Sequence, residues 1–165
     1  LRTKISTLNK NNIARASEMT LKTNQYNLRT ERYVLPDIEK IMKDKKYIGL
    51  LIGLKDIYAD HGNVGLVILK RIDKNTLFLD TFLMSCRVIG RYFETRIFSY
   101  IKEYALKNKY KSILGEFIDT KKNIVAKKLL EDHGFRKISH KTKKNSHMHS
   151  CKIKDIKQKN VDLYD

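Results

Sequence analysis

Cysteine, proline and glycine are all scarce in this chain of 165 residues, which has two, one and seven of them respectively. Cys86 and Cys151 are too few for a disulfide scaffold, so we expect a reducing, intracellular and specifically cytoplasmic location. The low proline and glycine content excludes collagen-like and linker-rich architectures. With 41% hydrophobic residues, a chain of this length can bury about 70% of its unfolded surface around one core, which excludes disorder over most of it.

Long apolar runs are missing as well. The best run, Tyr47–Leu54, ends at Lys55 and is far shorter than the ~18 residues of a membrane span. The first residues contain no apolar signal-peptide core and no initial Met. We therefore predict no membrane partner and a domain that belongs to a longer polypeptide.

The net charge of +17 comes mainly from lysine, with 26 Lys against 9 Arg. Arginine is the residue expected for bidentate recognition of phosphates and bases, so this composition indicates general lysine enrichment more than a nucleic-acid-binding surface. A basic field still favours polyanionic partners such as nucleotides or an acidic carrier protein. Residues 136–159 hold nine basic residues and one acidic residue, which predicts a basic C-terminal end.

Hydrophobic periodicity predicts an antiparallel meander followed by a strand, helix and strand. The predicted elements are a helix within Ile5–Leu28, a strand at Glu31–Leu35, a helix opened by Pro36–Asp37, strands at Tyr47–Tyr58, Val64–Ile72 and Thr76–Cys86, a helix from Phe93, a strand at Lys111–Ile118, a helix at Asn123–His133 stopped by Gly134, and short strands after Phe135. We place the first hairpin turn at Asp60–Asn63. This order predicts an α+β (mixed α/β) fold with a mostly antiparallel sheet flanked by helices. Residues 1–30 are predicted to be a helical connector from a preceding domain, and residues 31–165 the main domain.

The segment Arg87–Arg91 joins the end of the third meander strand to a helix and contains Gly90. A turn of this kind points unpaired backbone N–H groups into one concavity, with the positive end of the helix dipole behind them. Phosphate fits such a concavity. The same pattern also suits an ordinary helix start with two solvated arginines, and the spacing alone leaves both interpretations open.

Cys86 is the candidate nucleophile. The sequence predicts that it ends a buried strand just before Arg87 and a helix N-terminus, which could stabilise a thiolate able to carry an acyl group. Buried free cysteines also serve as small hydrophobic residues, and that alternative stays open. His61 and Glu116 are the candidate catalytic partners. The alternative, that His61 is only a turn residue and Glu116 only a strand carboxylate with satisfied hydrogen bonds, stays open. Asp80 lies ~20 Å away along the same strand and is excluded as a partner of Cys86.

The alternating residues His147, His149 and Cys151 form a row on a predicted strand. Their side chains would be ~6.6 to 6.8 Å apart, whereas the ligand atoms of a zinc ion lie ~2 Å from it. Three ligands in one straight row do not converge easily, so we expect no metal in this domain.

A family resemblance is carried by the run Asn123–Phe135 and the Arg87–Gly90 turn, which together resemble the GNAT acyltransferase fold. A closer similarity is visible in four strings that occur in the same order, Lys22–Leu28, Asp60–Gly65, Asp80–Arg91 and Gly115–Asn123. They resemble the C-terminal, GNAT-like half of FkbH-like proteins.

The resemblance implies a sheet with a diverging parallel strand pair that holds a pantetheine arm. The cofactor would be coenzyme A or the phosphopantetheine of a carrier protein. Its phosphates would bind to the turn formed by Arg87, Val88, Ile89, Gly90 and Arg91, and Asn123 would orient the arm.

The implied activity is transfer of an acyl (glyceryl-like) group to the phosphopantetheine thiol of an acyl carrier protein. The resemblance also implies a HAD-type domain on the N-terminal side, which would carry the phosphatase-like chemistry, and a place in polyketide and related pathways. The alternatives are a non-catalytic module that docks the carrier or coenzyme A, and an acetyl-CoA-dependent N-acetyltransferase. Nucleic-acid binding is the least favoured of these functions.

The sequence departs from the GNAT pattern at two positions. Tyr92 stands where the turn usually has a small residue, which places a bulky ring near the expected phosphate site. Leu130 stands where many GNAT enzymes have a tyrosine general acid, and a leucine cannot protonate a leaving thiolate. The second departure argues against ordinary N-acetyl transfer.

Overall fold

The computed structural model describes residues 2–88, 92–138 and 144–158. The strands of the described residues form one sheet in the order β1-β2-β3-β4-β5-β7-β6. They are β1 (Arg2–Thr7), β2 (Tyr47–Lys55), β3 (Asp60–Arg71), β4 (Thr76–Met84), β5 (Ser112–Ile118), β6 (Arg136–Lys137) and β7 (Ser146–Lys152). Neighbouring strands are antiparallel except β4 and β5, which are parallel. The predicted mixed fold with a mostly antiparallel sheet is confirmed.

Helices cover both faces of the sheet. They are α1 (Ile13–Lys22), α2 (Leu35–Lys43), α3 (Phe93–Lys107) and α4 (Leu129–Asp132), with short 3-10 turns at Cys86–Val88, Ile124–Ala126 and Ile153–Asp155. Side chains alternate between the two faces of a strand, so Leu51 packs with α1 and α2 while Leu50 and Ile52 pack with α3 and α4. The sheet therefore has a hydrophobic core on each side.

The N-terminal region differs from the predicted helical connector. Residues 2–7 form β1, which pairs antiparallel with β2 from Arg2 opposite Lys55 to Thr7 opposite Leu50. The helix begins only at Ile13, and its buried residues pack in the core that it shares with α2. Residues 2–30 therefore pack against the sheet as an integral part of it, because their apolar positions are covered by β2, α2 and β4. The existence of a preceding domain stays a prediction.

Three further elements differ in extent. Residues 31–34 are irregular, so the predicted strand at Glu31–Leu35 is wrong, and the chain passes directly into α2 with Pro36 in its first turn.

The hairpin reverses at residues 56–59 instead of Asp60–Asn63, because the Asp56 carboxylate accepts hydrogen bonds from the backbone N–H groups of Tyr58 and Ala59. The predicted helix at Asn123–His133 is broken into a 3-10 turn and α4. It ends, as predicted, before Gly134, which has a φ of +99°.

Candidate functional site

The strands β4 and β5 part in the middle of the sheet. Their parallel pairing runs from Thr76 opposite Ser112 to Leu79 opposite Gly115 and goes no further. Beyond that level each strand continues for several residues, to Met84 in β4 and Ile118 in β5. The facing backbone edges beyond Leu79 and Gly115 need other hydrogen-bond partners, and the opening between them is where the sequence predicts a bound pantetheine arm.

The opening is filled by the chain itself. Residues Tyr26–Leu28, between α1 and α2, lie between the two strands. The N–H of Met84 donates to Tyr26 O (3.0 Å), the N–H of Leu28 donates to Phe82 O (3.2 Å), and the N–H of Ile118 donates to Leu28 O (2.9 Å). The segment therefore takes up main-chain groups of both strands.

Asn123 fastens this segment from the side of β5. Its side-chain amide donates to Asn27 O and to Ile118 O, both at 2.8 Å. Its side-chain oxygen accepts from the Thr120 N–H (3.0 Å) and the Thr120 hydroxyl (3.1 Å). Asn123 is completely buried. The residue predicted to orient a ligand arm thus orients a piece of this chain.

The Tyr26 side chain extends the filling toward α3 and α4. It is 7% exposed and belongs to the same core cluster as Phe93 and Leu130. Burial, followed by the charges of Glu94 and Asp132, raises the pKa of the Tyr26 phenol far above its usual range. The phenol is therefore neutral at physiological pH.

The predicted phosphate-binding turn is described only in part. Arg87 and Val88 lie in the 3-10 turn after β4, where Arg87 is exposed and Val88 is buried. Ile89, Gly90 and Arg91 lie outside the described residues. Tyr92 precedes α3 with a φ of 57°, a left-handed conformation that a glycine adopts without cost, and is 58% exposed.

Cys86 does not lie inside the core. Strand β4 ends at Met84, and Cys86 is exposed in the following turn, where its thiol donates to the Gln25 side-chain oxygen at 3.3 Å. This exposure overturns the interpretation of Cys86 as a packing residue, because the chain turns away from the sheet two residues earlier. Its role as a nucleophile stays a prediction.

The three predicted catalytic residues have different partners. The imidazole of His61 lies 2.8 Å from Asp56 in the β2–β3 hairpin, and Glu116 bonds to Arg29. The register that sets Leu79 beside Gly115 puts Glu116 at the level of residue 80, so the end of β4 at Met84 lies ~13 Å further along the strand, and Cys86 follows that end. Direct contact between Cys86 and Glu116 would therefore require rearrangement.

A buried polar cluster that the sequence analysis did not find lies where β4 and β5 part. Arg29 donates to Glu116 (3.0 Å) and to the side chain of Asp80 (3.2 Å). The Tyr33 hydroxyl donates to Asp80 (2.8 Å), and the Ser146 hydroxyl donates to Glu116 (2.5 Å). The only available sequence signal was the equal level of Asp80 and Glu116 on two predicted parallel strands.

Electrostatics hold Arg29 in its charged form and Tyr33 in its neutral form. Burial disfavours the Arg29 charge, but the hydrogen bond to Glu116 and the charges of Asp80 and Glu31 outweigh it and raise the pKa of Arg29. Burial, then the charge of Asp80, also raises the pKa of Tyr33, so its hydroxyl stays protonated and donates. Through these bonds Arg29 and Tyr33, which precede α2, are attached to Asp80 of β4 and Glu116 of β5.

Solved structures with the same chain path settle the fold. Spermidine N-acetyltransferase from Vibrio cholerae, in complex with CoA and spermine, superposes with a TM-score of 0.72 at 14% identity, covering 93% of this chain and 97% of that one. The ribosomal-protein-S18-alanine N-acetyltransferase from Escherichia coli gives 0.69 at 11% identity over 99% of both chains. The chain has the GNAT fold. The GNAT domain of S. lividans PAT (TM-score 0.70, 12% identity, 91% of this chain and 90% of that chain) agrees.

At 11–14% identity these comparisons establish the fold alone. No family model and no curated protein matches the sequence. Across residues 2–88, 92–138 and 144–158 no helix is both long and apolar enough to cross a membrane. In the same part of the chain no group of three or more His, Cys, Asp or Glu side chains could hold a metal ion.

Proposed function

We propose that this GNAT-fold chain is an acyltransferase-type domain of an FkbH-like protein. It would transfer an acyl (glyceryl-like) group to the phosphopantetheine thiol of an acyl carrier protein. The observation that carries the proposal is the parting of β4 and β5 beyond Leu79 and Gly115, next to the turn that leads into α3. Four sequence strings in the order found in FkbH-like proteins support the finer assignment.

In this proposal the turn 87–91 holds the phosphate of the arm. The N-terminus of α3, a helix of 15 residues, supplies a partial positive charge, while Arg87 and Arg91 add full charges. The exposed position of Arg87 is compatible with this role. Coenzyme A would bind in the same way, since it carries the same arm.

Cys86 would carry the acyl group between two thiols. Its thiolate attacks the thioester carbonyl carbon, the bond from that carbon to the donor sulfur breaks, and the donor leaves as a thiol after taking up a proton. The carrier thiol then attacks the Cys86 thioester, and the cysteine is restored. Glu116 and His61 are the proposed proton acceptors, and Glu116 would have to move toward Cys86.

Isothermal titration of the domain with coenzyme A tests the binding site. We expect saturable binding that is weakened at least about tenfold in Arg87→Ala, because one phosphate contact is lost. Lys152→Ala is the matched control, since it removes an exposed positive charge from the far end of β7. Equal weakening in both variants would mean that only the overall charge matters, and the phosphate site would be wrong.

A second candidate function is a non-catalytic module that docks the carrier. Two observations favour it. The β4–β5 opening is already occupied by Tyr26–Leu28, and the completely buried Leu130 cannot act as a general acid. Cys86→Ser in the full-length protein separates the two functions. Loss of acyl transfer with carrier binding intact supports catalysis, whereas unchanged transfer means that Cys86 is not the nucleophile. An acetyl-CoA-dependent N-acetyltransferase would need a different general acid.

A further inference from the structure

We propose that Tyr26–Leu28, named here the latch, occupies the place of the pantetheine arm and must leave before a thioester can bind. This inference rests on the proposed function, because it concerns the same opening between β4 and β5. The structure would then represent the closed state of the domain, in which ligand affinity is limited by how often the latch opens.

The latch uses the groups that an arm would need. It accepts from the N–H of Met84 and of Ile118 and donates to the carbonyl of Phe82. A pantetheine arm contains two amide groups, which offer the same kinds of donor and acceptor as a peptide backbone. When the arm replaces the latch, the backbone groups of β4 and β5 therefore exchange one hydrogen-bond partner for another and are not left unsatisfied.

The latch also fills space on the side of α3 and α4. The Tyr26 ring is nearly as buried as the core residues around it, so an arm cannot enter beside it without displacing the ring. Opening therefore involves the main chain and one large side chain together.

The ends of the latch are arranged so that it can move as one unit. The Asn27 side chain donates to Thr23 O (3.1 Å) and accepts from the Thr30 N–H (3.0 Å), which closes the segment on itself. Thr30 has a φ of 57°, an unfavourable conformation for a β-branched residue. Movement of the latch would break the bond from the Thr30 N–H to Asn27 and let Thr30 leave this conformation, which favours opening.

Asn123 ties the latch to β5 through its bond to Asn27 O. Its two possible roles make opposite predictions. If Asn123 orients the ligand, Asn123→Ala weakens coenzyme A binding. If it fastens the latch, the same substitution raises the open fraction and tightens the apparent binding in proportion.

The first test is coenzyme A titration of the wild-type chain, Asn123→Ala and Tyr26→Ala. We expect both variants to bind about tenfold more tightly or better, since the hydrogen bonds or packing of the closed state are lost. Tyr110→Ala is the matched control, because Tyr110 is 8% exposed in the same core but precedes β5 at its opposite end. Weaker or unchanged binding in both latch variants overturns the proposal.

The second test is hydrogen exchange of the Leu28, Met84 and Ile118 amides, and it needs no variant. We expect the three to exchange together and faster than the buried β3 amides of Leu66 and Ile68. Coenzyme A should then speed the exchange of Leu28, which loses its partner, while Met84 and Ile118 stay protected by the arm.

These results separate the two proposals. Coenzyme A binding with unchanged exchange at Leu28 would overturn the latch and keep the proposed function. Joint opening of the three amides with no coenzyme A binding by any variant would overturn the proposed site and support the latch as an opening unit. Exchange of the three amides only as slowly as β3 overturns the latch whatever the ligand does.

Discussion

At the residue scale, Arg29 has the largest electrostatic role in the described site. One guanidinium is shared between Asp80 and Glu116, whose side chains are 9% and 11% exposed. It also lies over the Phe78 ring, 4.8 Å from its centre. Buried carboxylates are tolerated only when they are paired, so this one side chain allows two of them to sit in the sheet.

Replacement of Arg29 by Met should therefore be strongly destabilising. We expect the free energy of unfolding to fall by about 3 kcal/mol at neutral pH, because two buried carboxylates lose the positive charge that they share. Urea denaturation measures the change. Lys22→Met is the control, since Lys22 makes an exposed pair with Glu18, and its loss should cost less than about 1 kcal/mol. Similar losses in both variants would contradict the role of the cluster.

His133 should make stability depend on pH. Its Nδ1 donates to Leu129 O (2.8 Å), its ring stacks on Phe98, and burial lowers its pKa. The folded state therefore binds this proton less readily than the unfolded state, so stability is fully present above a pH of about 6.5 and falls as the pH drops below it.

The measurement is urea denaturation at several pH values for the wild type and His133→Gln. The difference between the two curves should appear below pH ~6.5, with a slope of at most about 1.4 kcal/mol per pH unit. Parallel curves would show that His133 contributes no pH dependence.

At the scale of elements, the sequence predicted most helices and strands but not their ends. Strand β2 ends early because Asp56 caps the turn with its side chain, and α3 begins at Phe93 as predicted. The region before α2 was misjudged, because residues 26–34 are held by contacts with β4 and β5 and not by local periodicity.

The end of α4 gives a test of an element boundary. Gly134 has a φ of +99°, and an added Cβ would lie 2.4 Å from the Asp155 carbonyl oxygen. We expect Gly134→Ala to lower the free energy of unfolding by more than about 2 kcal/mol, since strain and a backbone clash add. Gly62→Ala is the matched control, with a φ of +68° and no atom within 4 Å of the added Cβ, and should cost only about 1 kcal/mol. Equal losses of stability in Gly134→Ala and Gly62→Ala would show that the backbone around Asp155 moves away from the added Cβ without cost.

At the scale of the whole molecule, the charge of +17 should govern how fast the proposed carrier protein binds. We expect the association rate with an acidic carrier protein to fall steeply between 0.05 and about 0.5 M salt, because the Debye length shortens. Stopped-flow or surface-binding kinetics measure the rate, and the dissociation rate should change much less. An association rate independent of salt would contradict steering by the basic surface.

The amino-acid sequence by itself determined the mixed fold and the helix that begins at Phe93, because each depends on patterns within a short stretch of chain. The parting strand pair was implied by the family resemblance. The tertiary structure alone decided that Cys86 is exposed, that Arg29 joins Asp80 to Glu116, and that Tyr26–Leu28 fills the predicted ligand opening. These features depend on contacts between residues that are far apart in the chain, such as Asn27 with Asn123. Packing of the whole sheet brings such residues together, so no local pattern could reveal them.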